Sequence, residues 1–155
     1  MKNITFILLI IVSNFSYANN TEWSMHLQTI SGWGNKEGAV IHSSGKHGLA
    51  TGLDEAKIKY CTSSKISIET LKLLQEALFQ IPKEIPNNAK LHLIDNCSDE
   101  VENLLIIKEH KIERYFQYSK MKKCLKNKEI PQWLSGIVDT IWKEYESFKD
   151  CKTKA

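Results

Sequence analysis

The sequence predicts an α+β domain: an antiparallel sheet of short strands, with two amphipathic helices packed on one face and two disulfides. Three observations carry this. Short runs alternate apolar and polar residues with period two, the pattern of half-buried strands. Two longer segments repeat their apolar residues every three or four positions, the pattern of helices with one buried stripe. Cys61, Cys97, Cys124 and Cys151 are an even count in a chain that opens like an export leader, which reads as two bridges.

The leader comes first. Lys2 supplies a positive start, Phe6 to Val12 is an unbroken apolar run, and Ser16-Tyr17-Ala18 places small residues at −3 and −1 of a cleavage site. Residues 1–18 therefore read as a signal peptide and 19–155 as a single α+β domain. No cysteine follows the apolar run to take a lipid, and no later segment is apolar enough to span a bilayer. The expectation is a periplasmic or secreted protein with no membrane anchoring after cleavage. Its wealth of Ile, Lys and Asn suggests an AT-rich bacterial source.

Trp23, Met25 and Leu27 alternate with Ser24, His26 and Gln28, which predicts the first strand. Ala39–His42 and His47–Thr51 read as the second and third. Ala56, Ile58 and Tyr60 alternate with Lys57 and Lys59 to give the fourth. Then the period changes. Ser67 is a good N-cap, Glu69 suits the first turn, and Ile66 can staple onto Leu71. Leu71, Leu74, Leu78 and Ile81 make one helical face that Pro82 and Pro86 terminate. Leu91–Ile94 is strand-like. Leu104–Ile107 and Ile112–Tyr118 form a hairpin about Glu109-His110-Lys111. Pro131 suits the first position of a last helix, whose face is Leu134, Ile137, Val138, Ile141, Tyr145 and Phe148. Strands, helix, strands, helix is most economically an antiparallel sheet that buries both helical stripes on one face.

Four cysteines allow three pairings. Cys61 ends a strand before the first helix, and Cys97 follows the strand after it. Cys124 and Cys151 bracket the last helix. This favours Cys61–Cys97 with Cys124–Cys151. The rival is Cys97–Cys124 with Cys61–Cys151, in which the first pair faces across a long hairpin that Ser98-Asp99-Glu100 interrupts.

The formal net charge is +3, and Lys2 is the only charge in the leader. Such near balance argues against nucleic acid as a partner, and the basic residues at 120, 122, 123, 126 and 128 read as solvated surface. Six of the seven glycines fall in residues 31–52. Gly32, Gly34 and Gly38 do not match a dinucleotide loop, because Glu37 stands where its third glycine belongs and a strand follows rather than a helix. The glycines read instead as hairpin turns. His42 and His47 flank Ser43-Ser44-Gly45-Lys46. If they face each other across a turn, they could offer two nitrogens to zinc or copper, with His26 or His92 as the only further histidines within the strands. Ser43, Ser44, Ser63 and Ser64 sit in no G-x-S-x-G nucleophile elbow. Asp95, Asp99 and Glu100 have no partner acid placed opposite them. No cofactor and no resident metal are expected, and the chain does not read as an enzyme. Trp33, at the tip of a glycine-rich turn, reads as an interface anchor beside His42 and His47.

The order of a strand, a Gly-rich turn, strands ending at Tyr60-Cys61, the helix SIETLKLLQEAL, the hairpin NCSDEVENLLIIKEHKIERYFQYS and the closing helix IPQWLSGIVDTIW resembles the emfourin-like proteins. These are small exported bacterial inhibitors of thermolysin-like metalloproteases. Where they carry a Gly-Gly plus aromatic or apolar motif, this chain has Gly32-Trp33-Gly34 and an insertion before Ala39. What the resemblance implies is a binding scaffold without catalysis. The expected function is an inhibitor or immunity protein that occludes the active site of a hydrolase or toxin. A small-ligand or metal carrier using His42 and His47, or a hydrolase, stands as the alternative.

Overall fold

In a computed structural model, residues 22–30, 36–94, 102–119, 121, 124–126 and 129–149 are described. The strands are β1 (Trp23–Ile30), β2 (Lys36–His42), β3 (His47–Ala50), β4 (Ile58–Tyr60), β5 (Lys90–His92), β6 (Glu102–Glu109) and β7 (Ile112–Ser119). The helices are α1 (Ile68–Phe79) and α2 (Gln132–Phe148). The strands form one sheet in the order β4-β3-β2-β1-β6-β7-β5.

The class is α+β, as expected, but the sheet is mixed. β1 pairs antiparallel with β2 and β6, and β5 joins the far edge parallel to β7. The antiparallel expectation fails at that one strand for a physical reason. Side-chain alternation fixes which residues share a face but is the same read in either direction, so it cannot orient a three-residue edge strand.

Helix α1 starts where its chemistry demands. The Ser67 hydroxyl accepts from Thr70 N at 3.1 Å, satisfying an otherwise unpaired amide. Pro131 is the N-cap of α2, one position earlier than expected. Leu74 and Leu78 from α1 and Leu134, Ile137 and Ile141 from α2 pack on Met25, Leu27, Ile107 and Phe116 of the sheet, in one continuous core. Trp133 sets its edge on Phe116, centroids 5.0 Å apart, and closes the core beside β7.

The other face of the sheet carries His26 and Gln28 from β1, Gly38, Val40 and His42 from β2, Gly48 from β3 and Tyr60 from β4. The register makes Gln28 face Gly38 and Gly48 face Tyr60. A Cβ on Gly38 would collide with the Leu27 carbonyl, and one on Gly48 would lie 2.5 Å from the Lys59 carbonyl. Two glycines on one face therefore let neighbouring backbones approach closely on that side. On this face Gln28 has 0% of its surface exposed.

Cys61 and Cys124 are each disulfide-bonded. Cys61 follows β4 at one edge of the sheet. Cys124 precedes Leu125, which bridges Ile94 beyond the opposite edge. Cys97 and Cys151 lie outside the described residues, as do the expected leader and its expected cleavage site after Ala18.

Candidate functional site

The β2–β3 hairpin turns through Ser43-Ser44-Gly45, with Gly45 at φ +82°, a conformation that glycine adopts without strain. His42 N donates to Lys46 O at 2.8 Å and Gly45 N to His42 O at 2.9 Å. The turn offsets the strands by one residue, so His47 pairs with Ile41 and not with His42. Successive residues point to opposite faces. The two imidazoles therefore do not meet: His47 lies on the helix face and His42 on the opposite one. The two-nitrogen arrangement that the metal-carrier alternative required is absent, and no group of three His, Cys, Asp or Glu residues gathers for a metal among the described residues.

His42 instead joins Tyr60 and Lys46. Its Nε2 lies 3.2 Å from the Tyr60 hydroxyl, and the Lys46 ammonium sits 3.6 Å over the centre of the Tyr60 ring. Such a cation–π contact contributes ~0.5–1 kcal/mol at an exposed site. Burial, then the Lys46 charge, lowers the His42 pKa against the opposing pull of Glu55 and Glu22. Burial, then the Glu55 carboxylate, raises that of the Tyr60 phenol. The patch thus presents one cation, one imidazole biased toward its neutral form and one protonated phenol. The β2–β3 hairpin holds His42 and Lys46, and Tyr60 comes from β4 on the far side of β3.

His47 is 1% exposed, its ring 4.5 Å from that of Phe148. Its Nδ1 lies 2.9 Å from Gly45 O and its Nε2 3.0 Å from Ser64 Oγ. Ser43 Oγ accepts from Trp23 N, and Ser44 Oγ from Lys46 N. His92 bonds Gln117 on the exposed edge. His26 is 7% exposed, and burial plus the Lys108 charge lower its pKa to about 4. Trp33, Asp95, Asp99 and Glu100 lie outside the described residues. A cavity of about 180 Å³ beside α2, lined by Tyr118, Ile130, Ser135, Val138 and Asp139, falls below the ~300 Å³ of a typical ligand pocket.

Sequence reasoning missed Lys46 and Tyr60 as partners of His42. The only signal was the alternation that puts Tyr60 and Ile58 on one face of β4, with nothing to say which strand lay beside it. No protein-family model matches the chain, and no curated protein matches it.

Proposed function

We propose that this chain is an exported protein-binding module, an inhibitor or immunity protein that occludes the active site of a hydrolase or toxin. The observation that supports this is the patch of His42, Lys46 and Tyr60. It is a half-buried aromatic ring on β4, with a cation from the short β2–β3 turn already seated on it and a histidine from the end of β2 already bonded to it. Aromatic anchors fixed in this way lose little rotamer entropy when a partner covers them. Two disulfides, engaging Cys61 and Cys124 with Cys97 and Cys151, would hold the two edges of the sheet during that contact.

The test is capture in the exported compartment. Tagged protein is crosslinked in cells and isolated. Wild type should bring down one discrete partner, and Tyr60→Ala should reduce its recovery at least tenfold with an unchanged melting curve. Equal recovery by the two proteins would remove the patch from the interface.

A further inference from the structure

On the helix face, away from the binding patch, the structure places a serine hydroxyl against an oriented imidazole. We infer that Ser64 is a nucleophile activated by His47, able to accept an acyl or phosphonyl group from an electrophilic ester or fluoride. Nothing in the binding proposal depends on it.

Hydrogen-bond direction fixes the polarity of the pair. Gly45 O is a carbonyl and can only accept, so the contact to His47 Nδ1 at 2.9 Å requires the proton on Nδ1. A neutral imidazole protonated there has its lone pair on Nε2. That atom lies 3.0 Å from Ser64 Oγ. The serine hydroxyl must then donate to the ring, which is the polarity of a nucleophile and its general base. The base is fixed on three sides. Its ring packs on Phe148, its carbonyl accepts from Cys61 N at 2.9 Å, and Gly45 O holds the far nitrogen. The base is buried, whereas Ser64 is exposed, so an electrophile can reach the oxygen without displacing the core.

With an activated ester, Ser64 Oγ would bond to the carbonyl carbon while the ester C–O bond breaks. The serine proton passes to Nε2 and on to the departing oxygen, leaving Ser64 acylated and His47 neutral again. Gly45 O and the face of the Phe148 ring are the groups beside the transient imidazolium. Sequence motifs could not reveal this pair, because His47 and Ser64 are 17 residues apart and meet only through the β3–β4 pairing.

Two measurements test it on the mature protein. The first is labelling with an alkyl fluorophosphonate, read by intact mass and peptide mapping. A single adduct on Ser64 is expected, at least 100-fold faster than on exposed Ser44, and no fast adduct in Ser64→Ala. Labelling of Ser64 no faster than Ser44 overturns the inference. The second is a long-range ¹H–¹⁵N correlation spectrum of His47, which needs no variant. It should show the Nδ1–H tautomer, and a proton on Nε2 would overturn the inference, because the histidine would then donate to the serine.

Discussion

Gln28 on β1 lies directly opposite Gly38 on β2, and the glycine brings the two backbones together where a side chain would hold them apart. Gly38→Ala must push a Cβ into the Leu27 carbonyl and should cost ~2 kcal/mol or more. Gly136, in the second turn of α2, has open space around it: a Cβ there would meet nothing within 4 Å. Gly136→Ala should therefore stabilise by ~0.5–1 kcal/mol, the ordinary helix preference. Urea melts of the two variants should move in opposite directions.

The Gln28 side chain is fully buried, and among the described residues neither its amide nitrogen nor its amide oxygen has a hydrogen-bond partner. An unpaired buried amide is destabilising by ~1–3 kcal/mol. Gln28→Leu keeps the volume and removes the unpaired atoms, so it should raise the urea midpoint with the slope unchanged. A lowered midpoint would show that the amide is satisfied by bound water.

His26 gives the fold a pH dependence. Its folded pKa of about 4 lies below the usual 6.5, because burial and Lys108 oppose the charged form. As pH falls from 6.5 toward 4, the unfolded chain takes up a proton that the folded one refuses. The stability is thus fully present above 6.5 and is lost through that window, to the order of ~3 kcal/mol. His26→Gln should flatten this part of the stability profile, measured by urea unfolding between about pH 4 and 7.

The disulfides should pair as Cys61–Cys151 and Cys97–Cys124, the reverse of what the sequence favoured. β4 and β5 are opposite edges, six strand spacings of ~4.8 Å apart, or about 29 Å. Cys61 follows the first. Cys97 comes three residues after Ile94 by the second, and three residues extend only ~10 Å. The described neighbours support the other pairing. Cys61 N donates to His47 O, His47 packs on Phe148, and Phe148 is three residues from Cys151. Leu125, next to Cys124, bridges Ile94. Non-reducing peptide mapping should recover a peptide joining Cys97 to Cys124, and a Cys61–Cys97 link would refute the pairing.

The elements themselves were legible because each rests on local chemistry: Ser67 as a cap, the Leu74–Leu78 stripe, the Trp23–Met25–Leu27 alternation. What was hidden depends on who neighbours whom. The alternation of Leu91 could not reveal that β5 runs parallel to β7 at the far edge, and this placement is what now argues for the rival cysteine pairing. The spacing of His42 and His47 likewise could not show that a one-residue offset at Gly45 sends them to opposite faces. The partnership of His42 with Tyr60 joins residues 18 apart through an intervening strand, a relation that no local pattern records.

Contact between the His42–Lys46–Tyr60 patch and another protein can be read by photocrosslinking. A photoreactive benzoylphenylalanine is placed at position 46 and, in a separate protein, at Phe79, which is exposed on α1. On illumination in cells, position 46 should give a discrete protein adduct and position 79 none. An adduct from position 79 alone, or from neither, would contradict the proposed interface.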